Sequence, residues 1–89
     1  MTVTVRLAAH ADVDWLAAND RHLERRTLDE KVARAEILVA DLAAAPIGWL
    51  RWSYFWDQIP FMNLLQVDVA LRGRSYGRTL TLAWEQRMC

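Results

Sequence analysis

The chain has 89 residues, 54 % of them hydrophobic and 25 % charged, with three Gly and two Pro. That composition describes one small folded domain and excludes a disordered or collagen-like chain. Eleven basic and eleven acidic residues cancel, so no net positive field argues for nucleic acid or an anionic membrane surface as a partner. The uncharged stretches fall short of the roughly 20 apolar residues that cross a bilayer, and no basic start leads into an apolar run and a cleavage site. The single cysteine, Cys89, has no partner within the chain and reads as a free terminal thiol, which excludes an internal disulfide framework and points to the cytoplasm. Five Trp are a large aromatic load for a domain that buries only about two thirds of its unfolded surface.

The chain opens on Thr2-Val3-Thr4-Val5-Arg6-Leu7, whose alternation places Val3, Val5 and Leu7 on one face and predicts a strand over residues 2–8. From Ala11 the period becomes helical, with Val13, Leu16 and Ala17 on one stripe, Asp12 and Asp14 in the first turn and Arg21 near the end. Thr27-Leu28-Asp29-Glu30 has the form of a capping box and predicts a second, short helix starting there, with Leu28, Val32 and Ala35 as its apolar stripe. Ile37–Asp41 reads as a strand, residues 42–46 as a connection, and Ile47–Phe55 as a second strand of a hairpin, with rings on both faces and therefore cover on both sides. Asp57-Gln58-Ile59-Pro60 is a turn, Phe61–Val69 a central apolar strand, and Tyr76 to Met88 an amphipathic helix with Tyr76, Leu80, Ala83 and Trp84 on one side. The order strand, helix, helix, strand, strand, strand, helix is that of a mixed α/β or α+β sheet domain. The last helix carries no Gly or Asn cap and no Pro stop, so the chain is expected to be a truncated or naturally shortened form of a longer domain.

The chemistry concentrates in residues 65–80, Leu-Gln-Val-Asp-Val-Ala-Leu-Arg-Gly-Arg-Ser-Tyr-Gly-Arg-Thr-Leu. A strand enters a short turn with two Gly, and the turn opens a helix whose first N–H groups lack internal acceptors. Gly permits close approach of a ligand, the helix dipole favours negative charge, and Arg72, Arg74 and Arg78 add formal cations, so a phosphate-bearing ligand is expected. The Walker spacing lacks its second Gly and its Lys, and the Gly-x-Gly-x-x-Gly dinucleotide fingerprint is absent.

The pattern Leu65-x-Val67-x-Val69-x-x-Arg72-Gly73-Arg74-Ser75-Tyr76-Gly77-x-x-Leu80 resembles the acetyl-coenzyme A signature of the GCN5-related N-acetyltransferases, the GNAT family. The resemblance covers essentially the whole chain, as the first part of that fold. It implies a GNAT-like acyltransferase fold, acetyl-CoA as cosubstrate, and direct attack on its thioester by a small-molecule or peptide amine. Carried over position by position, Val67 and Val69 would lie along the pantetheine arm. Arg72, Gly73, Arg74, Ser75, Tyr76 and Gly77 would form the pyrophosphate turn, with Thr79 in the first helical turn close to the phosphates. Ser75 departs from the pattern, standing where its first Gly is usual.

No catalytic base is assigned: Asp57 and Asp68 read as residues of a turn and a strand end. His10 and His22 have no neighbours of metal-ligand spacing, and no metal is expected. For Trp52, Tyr54 and Trp56, core packing and dimer surface weigh against an aromatic wall around an acceptor. An unpaired fourth strand or the Trp-rich surface suggests a homodimer. Besides an acetyltransferase, the residues leave open a coenzyme A binding or interaction module without turnover, and a dimerisation fragment.

Overall fold

The computed structural model describes residues 3–56, 58–71, 73 and 75–88. In chain order they form β1 (Val3–Leu7), a 3-10 turn at His10–Asp12, α1 (Val13–Asn19), α2 (Arg25–Ala33), β2 (Ile37–Leu42), β3 (Ala45–Phe55), β4 (Ile59–Val67), a second 3-10 turn at Val69–Leu71, and α3 (Tyr76–Met88). The four strands make one sheet in the order β1-β2-β3-β4, antiparallel throughout.

Helices cover both faces. On one, Leu38, Ala40, Leu50, Trp52 and Val67 pack with Leu80 of α3, and Val3, Val5 and Leu7 of β1 close the margin. On the other, Ile37, Val39 and Trp49 pack with Leu16 of α1 and Leu28 of α2. β2 and β3 carry apolar side chains on both faces because both are central strands. The rings of β3 divide along its length: Trp49 and Trp52 are buried, whereas Tyr54 is exposed and Trp56, just past the strand, is 84 % exposed. Cover on both sides thus holds for the first part of the strand and lapses toward its end.

Several boundaries differ from the sequence expectations. Thr2 lies outside the described residues, and Arg21 lies beyond α1, which ends at Asn19. The box at Thr27 and Glu30 does not start α2. That helix begins at Arg25, with Glu24 in extended backbone as its N-cap and no side-chain cap; the Leu28 N–H donates to the Glu24 carbonyl (3.1 Å), so Thr27 sits inside the first turn. The β2–β3 connection is only Ala43-Ala44, both at positive φ (51° and 65°), with Leu42 paired to Ala45 and Pro46 to Asp41. A two-residue hairpin requires that left-handed geometry, which the usual Asn-Gly signal would have announced and Ala does not. β4 starts and ends two residues earlier than expected, and among the described residues it is an edge strand, not a central one. Asp57 and Cys89 lie outside the described residues.

An ion-pair network fixes the start of the chain onto the sheet. Arg6 on β1 donates to Asp12 (Nη1 to Oδ2 2.7 Å, Nη2 to Oδ1 2.9 Å) and to Asp41 of β2 (Nε to Oδ2 2.7 Å). Asp12 Oδ2 also accepts the Ala9 N–H (2.7 Å) at the helix entry. The Arg6 guanidinium holds the Asp12 carboxyl below the usual carboxylate range, against the opposing effect of burial. A carboxyl with a depressed native pKa stabilises in full above its ordinary value of about 3.9 and loses that contribution as the pH falls from there through the lower native value. Stability measured by thermal melts should therefore lose this contribution only below about pH 4, and Arg6→Gln should flatten that acid limb. An unchanged acid limb in the variant would refute the role of the pair.

Candidate cofactor-binding site

The site is built where β4 hands the chain to α3. At the end of β4 the Asp68 N–H donates to the Ile47 carbonyl (2.7 Å). Asp68 Oδ1 accepts the Ala70 N–H (3.0 Å), and the Leu71 N–H donates to the Asp68 carbonyl (2.9 Å), closing a 3-10 turn. Gly73 at φ 85° and Ser75 at φ 66° then reverse the chain into α3. The left-handed conformation explains why Gly suits the position that Ser75 occupies, since a Cβ there costs about 1–2 kcal/mol. The Thr79 N–H and Oγ1 both donate to the Ser75 carbonyl (3.1 Å each), leaving the first N–H groups of α3 without helical acceptors.

Below this turn lies a cavity of about 380 Å³ lined by Leu65, Val67, Leu71, Gly73, Ser75, Tyr76 and Gly77. Five residues expected to bind a cofactor, Val67, Gly73, Ser75, Tyr76 and Gly77, therefore meet in one place. A Cβ at Gly77 would touch Leu65 Cδ2 (3.6 Å) and Val67 Cγ2 (3.8 Å), so a larger side chain there would be directed among the lining groups. Val69 does not belong with them. It lies past the end of β4, in the 3-10 turn, and is 74 % exposed; the Asp68 turn ends the ladder before it. Thr79 does not line the cavity, its hydroxyl being turned back to the Ser75 carbonyl. Arg72 and Arg74 lie outside the described residues.

A second cavity, of about 220 Å³, opens on the opposite face of the same strand end. Trp15, Asn19, Ile47, Trp49, Gln66, Val67, Asp68 and Val69 line it. Trp15 and Trp49 meet edge to face, with ring centroids 5.4 Å apart. Trp49 Nε1 donates to Asp20 Oδ2 (3.2 Å), which also accepts Arg51 Nε (2.7 Å); Asp20, Trp49 and Arg51 are all buried. Among the described residues, no group of three or more His, Cys, Asp or Glu is placed to hold a metal ion. No helix there is long and apolar enough to cross a membrane.

No protein-family model and no curated protein matches the chain. Solved structures do. N-acetylglutamate synthase from Neisseria gonorrhoeae, solved with coenzyme A and N-acetyl-glutamate, superposes on 99 % of this chain with a TM-score of 0.88 at 18 % identity. The PaiA N-acetyltransferase of Thermoplasma acidophilum, solved with coenzyme A, gives 0.82 over 99 % at 16 % identity. A GNAT-family acetyltransferase of Bacillus cereus gives 0.74 over 94 % at 18 % identity. The fold is that of the GNAT acetyltransferases. This chain spans 23 %, 72 % and 62 % of those three proteins, respectively.

Within this GNAT fold, the first cavity lies on the α3 face of β4 and the second on the α1–α2 face, with Val67 bordering both. For Trp52, Tyr54 and Trp56 the sequence favours core packing and dimer surface over an aromatic wall. Trp52 is core on the α3 face, and the indoles that line the second cavity are Trp15 and Trp49. The pairing of Trp49 with Gln66 and the 3.6-residue phase of α1 bring these groups together. No local motif announces that contact. His10 and His22 are exposed.

Proposed function

We propose that this chain is the cofactor-binding part of a GNAT acetyltransferase domain, which binds acetyl-CoA and serves acetyl transfer to an amine. The observation that carries this reading is the cavity formed by Leu65, Val67 and Leu71 against Gly73, Ser75, Tyr76 and Gly77. An apolar wall adjoining small residues and the open N–H groups of a 13-residue helix suits a ligand with an apolar arm and an anionic end. Bound there, acetyl-CoA would supply an activated acyl group as a thioester. Leu65, Val67 and Leu71 would exclude water from its arm, while the turn at Gly73, Ser75, Tyr76 and Gly77, with Arg72 and Arg74 beside it in sequence, would hold its pyrophosphate. Catalysis would then rest mainly on positioning. The N-acetyl-glutamate held by the gonococcal protein is the kind of product such a reaction yields.

Acetyl-CoA titrated into the protein in a calorimeter should give saturable heat, and Gly77→Trp, which fills the cavity, should abolish it while the far-ultraviolet spectrum keeps its helical and sheet signature. Wild-type protein that releases no heat would overturn the reading. Acetyl transfer itself should appear as coenzyme A thiol release with an amine acceptor. A binding module without turnover is the outcome if heat is seen and no thiol is released.

The proposal extends to a cytoplasmic protein and a homodimer. The dimer is supported by β4 at the sheet edge, with Ile59 and Phe61 exposed on it and Trp56 exposed just before it. A single monomeric species in sedimentation at micromolar concentration would overturn the dimer.

A further inference from the structure

We infer that Gly48 is a positioning residue for the proposed cofactor cavity, which it does not line: it gives Val67 the room to stand back from α3 and so keeps the cavity open. The inference rests on the acetyltransferase reading only for the identity of the ligand; the shaping of the cavity stands on its own geometry. Gly48 is buried in β3, directly opposite Val67 of β4. Of the glycines only Gly73 has a positive φ, so what position 48 needs from glycine is space, not a special backbone. A Cβ there would lie 2.8 Å from the Gln66 carbonyl oxygen, 3.3 Å from Val67 Cα and 3.3 Å from Val67 Cγ2. Carbon atoms in a packed interior rest about 3.5–4.0 Å from their neighbours, so something must move. The oxygen and the Cα belong to the backbone, which cannot swing aside as the end of a long side chain can.

The direction of that movement decides its consequence. Positions 48, 50 and 52 share one face of β3, and Leu50 and Trp52 pack there with Leu80 of α3, so the missing side chain would project toward α3. On that side the same Val67 Cγ2 lies 3.8 Å from the place of a Cβ at Gly77. One methyl group thus stands between two glycines, Gly48 in the sheet and Gly77 in the first turn of α3. The cavity opens on the Gly77 side, with Val67 and Gly77 both in its lining. A side chain at position 48 would therefore drive Val67 toward Gly77 and into that space. The end of β4 is held from stepping away as a whole, because the Asp68 N–H donates to the Ile47 carbonyl (2.7 Å) and Asp68 Oδ1 accepts the Ala70 N–H (3.0 Å). Crowding at Gly48 is thus passed to Gln66 and Val67 themselves, next to the turn that leads to Gly73.

The test uses Gly48→Ala in the whole chain, with coenzyme A as the calorimetric ligand and proton Overhauser spectra as the structural readout. The variant should bind coenzyme A about tenfold more weakly than the wild type, and the Overhauser contact between a Val67 methyl and the Gly77 α-protons should strengthen. Val39→Ala, which truncates a buried side chain on the other face of the sheet, separates this from a role in stability alone: it should lower the melting temperature and leave coenzyme A affinity as it is. Adding Val67→Ala to Gly48→Ala should recover most of the affinity, because the displaced strand then carries no γ-methyl into the cavity. Full affinity in Gly48→Ala, an unchanged contact between Val67 and Gly77, or no recovery in the double variant would overturn the inference. So would a Gly48→Ala chain that unfolds and is not restored by Val67→Ala. Equal coenzyme A binding by wild type and Gly48→Ala leaves the acetyltransferase reading standing. Wild-type protein that binds no coenzyme A overturns that reading, while the contact between Val67 and Gly77 in Gly48→Ala still decides the role of Gly48.

Discussion

Arg51→Met should destabilise the protein by about 3–5 kcal/mol, read as a lower denaturation midpoint in urea at unchanged slope. Asp20 and Arg51 form a buried ion pair, Nε to Oδ2 2.7 Å, with the Asp20 side chain inaccessible and that of Arg51 9 % exposed. Removing the guanidinium leaves a carboxylate without its counter-charge in a site from which water is excluded. Trp49 Nε1 and the His22 N–H, which also donate to Asp20 (both 3.2 Å), offset only part of that cost. A domain of this length has a total stability of about 4–13 kcal/mol, so the variant should be close to unfolding. Combining it with Asp20→Leu removes both charges together and should recover most of the loss, because a buried pair replaced by apolar groups is often near neutral. Equal stability of Arg51→Met and wild type would mean that the pair is solvated in solution.

That network also shows where sequence reading stops. Leucines, valines and rings at period two or 3.6 announced the strands and helices, and α3 falls at Tyr76–Met88 as its periodicity predicts. The turn at Gly73, Ser75, Tyr76 and Gly77 was legible because its residues are adjacent in the chain and backbone conformation restricts what can stand there. Asp20 and Arg51 are 31 positions apart, and neither stands in a local pattern that tells a buried charge from a solvated one. The early start of α2 had no side-chain signal, since its cap is made by the Glu24 backbone. Val69 looked like strand because its apolar neighbours continue the pattern, but the Asp68 carboxylate, by taking the Ala70 N–H, turns the chain. The Trp15 and Trp49 cavity depends on how a helix lies across a sheet, which composition and period leave open.

Trp52→Ala should cost about 3–5 kcal/mol and should loosen α3 from the sheet. Trp52 has no accessible surface and packs in the cluster that holds Leu80 of α3 with Leu38, Leu50 and Val67 of the sheet. Its removal leaves a void under the helix whose first turn closes the proposed cofactor cavity, and Val67 belongs both to that cluster and to the cavity wall. Loss of stability and loss of coenzyme A binding should therefore appear together. Trp52→Phe separates volume from polarity: Nε1 of Trp52 is buried with no hydrogen-bond partner among the described residues, so deleting it removes an unsatisfied donor, whose burial costs about 1–3 kcal/mol, while opening a smaller void. The Phe variant should thus lose much less stability than the Ala variant and keep coenzyme A binding. Amide exchange along α3 would check the mechanism, with protection falling in Trp52→Ala and retained in Trp52→Phe. Uniform loss of protection across α1, α2 and α3 in the Ala variant would mean that the sheet core gives way as a whole, not that α3 is released from it.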